Sequence, residues 1–141
     1  MIPNPEHLQQ PVLMVARRDA ATLLQDLSVR EALDAIRGRE LGEKIVYFYV
    51  VDAEDRLAGV LPTRRLLTGA LDARLRDLMV PRVVAIPQTA TLLEACEAFV
   101  LHKFLAFPVV DEQRRIVGVL DVSFFTQEVF DMAGEGEEPP G

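Results

Sequence analysis

The sequence predicts an α+β (α/β) fold made of two tandem β-α-β-β-α units packed with pseudo-two-fold symmetry. Three observations carry that prediction. The first is a repeat: Phe48, Val50, Val51, Asp52, Arg56, Gly59, Val60 and Leu61 return fifty-nine positions later as Phe107, Val109, Val110, Asp111, Arg115, Gly118, Val119 and Leu120, eight identities in fourteen aligned positions. Each copy is an apolar run, a charged loop and a second apolar run rich in branched residues, the pattern of a β-hairpin. The second is a pair of helix-start signals ahead of the hairpins, Ser28 with Glu31 and Thr91 with Glu94, each a capping box. The third is physical: one such unit leaves an apolar sheet face uncovered, so two must pack together.

Taken in order, residues 1–11 read as a flexible tail, because Pro3, Pro5 and Pro11 block regular structure. Residues 12–16 form a short apolar run expected as a strand. Val29, Ala32, Leu33 and Ile36 follow at helical spacing, with Gly38 as a stop. After the first hairpin, residues 63–71 predict a second helix with Leu66, Leu67 and Ala70 on one face. Residues 73–82 are a connector with a helical turn through Leu75, Leu78 and Met79, ended by Pro81. The second copy replays the first: a strand over 83–86, a helix from Thr91 burying Leu92, Ala95, Cys96 and Phe99, the hairpin, and a last helix over 121–131. Residues 132–141 read as a disordered acidic tail. The first unit is thus 12–72 and the second 73–131. The capping boxes align at an offset of sixty-three and the hairpins at fifty-nine, so the first copy carries four extra residues around Arg39 to Lys44.

The 141 residues suffice for two small halves sharing a core. Fifteen basic against twenty-two acidic residues give a net charge of −7, which argues against nucleic acid as a partner. The run from Ile45 to Val51 is too short to span a bilayer, and no basic leader with an apolar stretch opens the chain, so direct membrane insertion is not expected and the location expected is cytoplasmic. A single Cys excludes an intrachain disulfide and a Cys-based zinc site.

The repeated residues, Val50-Val51-Asp52 with Arg56 to Leu61 and Pro108-Val109-Val110-Asp111 with Arg115 to Leu120, together with the connector Leu75 to Met79, Pro81 and Val83, resemble a tandem pair of CBS (cystathionine β-synthase) domains. The extra residues and Tyr47-Phe48-Tyr49 look most like the cytosolic pair of MgtE-type magnesium transporters. The resemblance implies a non-catalytic regulatory module that forms a homodimer, acts on a protein partner the sequence does not name, and takes an adenine nucleotide (ATP, ADP or AMP) or a related ligand between its units. Magnesium transport, and Mg²⁺ as an alternative ligand, enter by the same resemblance. No cofactor is required.

The family's ligand motif runs Gly, two apolar residues, Ser or Thr, two variable residues, then Asp. There the hydroxyl can meet a phosphate and the carboxylate can accept from ribose hydroxyls. Gly59-Val60-Leu61 fits, but Pro62 and Arg65 hold the hydroxyl and carboxylate positions; Gly118-Val119-Leu120 fits, but Asp121 and Phe124 stand there. Thr63 and Ser123 are hydroxyls nearby, and Arg64 with Arg65 could meet a phosphate, whereas Asp121 would repel one and cap its helix. With both motifs degenerate, empty clefts are the expectation, and the first is the one to take an anion. Tyr47 and Tyr49 face away from Phe48, fit to stack a ring or line a contact. The candidate ligand residues are therefore Tyr49, Pro62, Thr63, Arg64, Arg65, Pro108, Asp121 and Ser123.

No catalytic residue and no metal ligand is assigned. Cys96 falls on the core face of its helix, and His102 has no nucleophile beside it. Asp52, Glu54, Asp55, Asp111 and Glu112 read as turn and solvation residues rather than Mg²⁺ ligands. Phe124 and Phe125 are candidates for an interface. Beside the regulatory reading stands one of another class, a purely structural dimerisation module with no ligand.

Overall fold

The computed structural model describes residues 5–39, 47–123 and 125–126. The four extra residues of the first copy, Phe124, most of the last helix and the acidic tail lie outside the described residues. Two three-stranded sheets carry the fold. In the first, β1 (Ala21–Leu24) runs parallel to β2 (Phe48–Val51), which pairs antiparallel with β3 (Leu57–Leu61). In the second, β4 (Ile86–Pro87), β5 (Ala106–Val110) and β6 (Ile116–Asp121) repeat that arrangement.

Both capping boxes are formed. Ser28 Oγ accepts from the Glu31 amide at 3.1 Å while Glu31 accepts from the Ser28 amide at 2.9 Å, opening α2 (Val29–Arg37). Thr91 and Glu94 do the same at 3.2 and 3.0 Å for α5 (Leu92–His102), whose Leu92, Ala95, Cys96 and Phe99 are all buried. α3 is Thr63–Thr68, three residues shorter than the 63–71 expected, because Gly69 is extended. The connector turn is α4 (Leu75–Leu78).

The repeated Asp and Arg are turn clamps. Asp52 Oδ1 accepts from the Glu54 and Arg56 amides at 2.9 Å and Oδ2 from Arg56 Nε at 2.9 Å. Asp111 holds the Gln113 and Arg115 amides and Arg115 Nε in the same way, at 3.0, 2.8 and 2.9 Å. Each clamped loop bends through one left-handed residue, Asp55 at φ 64° and Arg114 at φ 66°.

The residues preceding each unit depart from expectation. Residues 5–11 do not form a loose tail: α1 is Pro5–Leu8, and the Gln10 carbonyl accepts from the Leu92 amide at 2.9 Å. Residues 12–16 do not form a strand either; Val12–Met14 is a 3-10 turn, and β1 begins at Ala21. The run is apolar because Val12 is fully buried in the core of the second unit, among Leu92, Ala95, Phe99 and Phe107. The connector does the converse, burying Leu75 in the first unit's core with Leu23, Val29, Val50 and Leu61. In each unit the strand predicted at the start thus sits further along, β4 overlapping the expected 83–86 only at Ile86.

The two lead-in segments share their main anchoring bonds. The Val12 amide donates to Ala90 and the Leu75 amide to Leu27, each at 2.9 Å; the Leu92 amide donates to Gln10 and the Val29 amide to Ala73, again at 2.9 Å. Further on, Arg17 and Val119 exchange two backbone bonds, as Val80 and Val60 do. A third cluster joins the sheets, with Tyr49 and Leu57 from the first packed on Ala106, Val110 and Val119 from the second.

These crossings explain the recurring glycines. A Cβ on Gly59 would lie 2.7 Å from Met79 Sδ and 2.8 Å from the Val80 carbonyl; on Gly118 it would lie 3.0 Å from Ala16 Cβ and 3.1 Å from the Arg17 carbonyl. A side chain at Gly59 must displace the connector, whereas at Gly118 the lead-in must give by a few tenths of an ångström for a Cβ and by more for a branched side chain. Gly59→Val and Gly118→Val are each expected to lower the melting temperature by roughly 3–10 °C, Gly59→Val by more. Unchanged melting of both would remove the close approach as the reason for glycine.

Candidate ligand clefts between the two units

The alternation of β2 sends Phe48 into the first unit's core and Tyr49 into the cluster between the units, with Tyr47 half-buried beside it. Tyr47 and Tyr49 meet edge to face at 6.3 Å. Together with Val60, Val83, Phe104 and Pro108 they line a cleft of about 200 Å³ in which Arg82 supplies the charge. Ligand pockets typically run to about 300–1,000 Å³; this open cleft is smaller, with room for a ring between its walls. Its apolar walls and aromatic flank suit a planar group.

Tyr49 and Pro108 are brought together here. The polar candidates are placed otherwise. Pro62 precedes α3 and caps it without a side-chain bond. Thr63, Arg64 and Arg65 are exposed on that helix and are not among the cleft's lining residues. Arg65 Nη1 donates to the Leu78 carbonyl at 2.8 Å, strapping α3 to the connector.

In the second half Asp121 and Ser123 do meet. Asp121 is 7% exposed and accepts from the Ser123 amide at 2.9 Å and from the Ser123 hydroxyl. Its other oxygen lies 3.1 Å from Arg17 Nε. Arg17 was not a candidate from the sequence. The available signal was the offset of sixty-three, which aligns Arg17 with Val80, a wall of the first cleft. Arg82, Val83 and Phe104 were also missed as cleft residues, since nothing local marks a loop residue as facing another unit.

Among the described residues no group of three or more His, Cys, Asp or Glu could hold a metal ion. Asp52 and Asp111 are engaged in their turns, and Glu54 lies 3.3 Å from Arg56 Nη2. Cys96 is buried, and His102 stacks on Phe104 at 5.4 Å. No helix among the described residues is long and apolar enough to cross a membrane.

The Arg56 amide, followed by the Glu54 amide and the Arg56 guanidinium, holds the Asp52 carboxyl below its ordinary range. Desolvation raises Asp111, but the Arg115 amide and guanidinium and the Gln113 amide outweigh it and hold that carboxyl low as well. A depressed carboxyl adds stability that is present above its unfolded pKa of about 4 and lost as pH falls through the folded value. The double variant Asp52→Asn/Asp111→Asn is therefore expected to melt below wild type at pH 7, with the gap closing as pH falls below about 4. A gap independent of pH would rule out the charge as its cause.

Burial pushes the Tyr49 phenol well up, assisted by Tyr47 and opposed by Arg17. Its hydroxyl has no hydrogen-bond partner among the described residues. A buried orphan donor costs about 1–3 kcal/mol, so Tyr49→Phe is expected to raise the melting temperature. A fall of several degrees would show that the hydroxyl is bonded.

A family model described as "CBS domain" matches residues 12–72 and 75–123. The magnesium transporter MgtE of Bacillus subtilis is 31% identical over 115 residues, covering 81% of this chain and 26% of the relative. MgtE of Thermus thermophilus is 34% identical over 99 residues, 70% of this chain and 22% of the relative. The chain thus spans about a quarter of the length of these relatives. The crystal structure of the cytosolic domain of the Mg²⁺ channel MgtE in complex with ATP aligns with a TM-score of 0.77 at 27% identity, over 87% of this chain and 50% of that one. Two matched units, a duplicated sheet and the shared path of the lead-ins agree: the chain belongs to the CBS domain family, as a tandem pair related to the cytosolic pair of MgtE.

Proposed function

We propose that the chain is a non-catalytic regulatory module that dimerises, works in the cytoplasm and modulates a protein partner, with magnesium or other ion transport as the process. The observation that carries this reading is the cleft between the units, walled by Tyr47, Tyr49 and Phe104 and set where the two sheets meet. A molecule bound there touches both units, so its binding energy favours one angle between them and biases whatever is attached to or docked on the pair. The relationship to MgtE supports ion transport as the setting, and the ATP complex of that relative's cytosolic domain supports an adenine ligand. For this chain the first cleft is the site, its ring-sized volume taking a base, with Arg82 the charge in its wall and Arg64 and Arg65, exposed on α3 outside it, the candidates for a phosphate.

A second reading has its own support. Pro62 replaces a hydroxyl, Arg65 is bonded to the Leu78 carbonyl, and Asp121 is ion-paired internally, an arrangement also suited to a dimeric scaffold without ligand.

Thermal melting of the purified chain with ATP, ADP, AMP, S-adenosylmethionine and Mg²⁺, each at millimolar concentration, separates the two. A ligand at a hundred times its dissociation constant adds about 2.7 kcal/mol, a shift of several degrees. The regulatory reading expects that shift with at least one adenosyl ligand or with Mg²⁺, and expects Arg64→Ala and Arg65→Ala to reduce it for a phosphorylated ligand. No shift with any of them leaves the scaffold.

A further inference from the structure

The capped helices of the two units present different outer faces. On α5, Leu93, Val100 and Leu101 stand at positions i, i+7 and i+8, one stripe of the helix. Phe104 and Leu105 continue it past the left-handed cap at Lys103. All five are exposed, Val100 and Leu101 for the greater part. A lone exposed Leu is ordinary, whereas a run of this kind on one element marks a contact. On α2 the places of Leu93, Val100 and Leu101 are held by Arg30, Arg37 and Gly38. The first unit folds with charge there, so the stripe is not a requirement of a unit's own packing.

The charges along α5 are sorted. Glu94 and Glu97 lie in its first half, His102 and Lys103 at its end. Glu94 is held in the capping box and His102 stacks on Phe104. Glu97 and Lys103 are exposed, and neither has an ion-pair partner among the described residues. They flank Val100, three positions before it and three after, about 4.5 Å each way along the helix axis.

We propose that the outer face of α5 is where this chain meets a second copy of itself, the two helices lying antiparallel about a two-fold axis near Val100. A parallel mate would set Glu97 against Glu97 and Lys103 against Lys103. An antiparallel mate covers Val100 with Val100 and lays each Glu97 toward the Lys103 end of the other helix, so one patch serves both copies. The carboxylate that interrupts the apolar stripe is what fits it to this occupant. The second unit makes the contact alone, and α2 stays in water. Phe104 also belongs to the wall of the first cleft, so the contact runs on to the site between the units. The inference rests on the reading of the chain as a dimer and gives that dimer its surface.

Sedimentation equilibrium of the full chain across the micromolar range tests it. The wild type is expected to be a dimer. Val100→Arg, which gives the second unit the residue of the first, is expected to raise the dissociation constant about tenfold or more. Glu97→Lys and Lys103→Glu are each expected to weaken the dimer, and Glu97→Lys/Lys103→Glu together to restore it, a reversal that damage to α5 would not give. Arg30→Glu/Arg37→Glu on α2 is expected to change nothing. A wild-type dimer untouched by Val100→Arg overturns this surface and leaves dimerisation standing, whereas a monomeric wild type overturns both. A charge-swapped double variant no better than its singles overturns the antiparallel pairing. Weakening by the α2 variant as large as that by Val100→Arg overturns the confinement to one unit.

Discussion

The structure depends on two backbone crossings, Arg17 over Val119 and Val80 over Val60. Each joins a lead-in segment to the edge of a sheet by two amide bonds, and each passes close over a glycine, most tightly at Gly59. The burial of Val12 and Leu75 depends on these crossings, since a lead-in lifted from its sheet would withdraw the side chain that fills the neighbouring core. The crossings also bring Val80, Val83 and the strand residues of both units to a common cleft. Fold and site therefore share one constraint: the chain passes close over its own repeat, twice.

What was legible in the sequence was what is local. A capping box spans four residues, and both were found with their helices. The hairpins announced themselves through an Asp and an Arg whose repetition has a local cause, the clamp over each turn. The lead-ins were not legible. Residues 12–16 are as apolar as a strand, but the apolarity answers to a core built by residues more than seventy positions away, and no periodicity distinguishes the two causes. The site was half legible for the same reason. The replacements Pro62, Arg65 and Asp121 stand in a motif and can be read there; Arg17, which answers Asp121, stands in no motif at all.

The repeat also shows where the copies have parted. Position for position at the offset of sixty-three, Arg30 and Arg37 on α2 correspond to Leu93 and Val100 on α5, which are 37% and 62% exposed. With Leu101 at 76%, the outer face of the second unit's helix is apolar where that of the first is charged. The cores have diverged too: Phe99 and Phe107 meet edge to face at 4.7 Å in the second unit, where the first has Ile36 and Phe48. Backbone paths were kept while surfaces and fillings changed, the usual result when close crossings constrain the main chain more tightly than the side chains.

The exchange of lead-ins bears on whether one unit can stand alone. A lone unit carrying its own lead-in would have an unfilled socket, because the segment that fills the first unit's socket, at Leu75, belongs to the second copy, and the one that fills the second's, at Val12, belongs to the first. Two separate copies could satisfy both sockets only by trading segments, which is a domain-swapped dimer. The present chain has the topology of such a swapped dimer with its subunits joined end to end, both exchanges being made within one molecule.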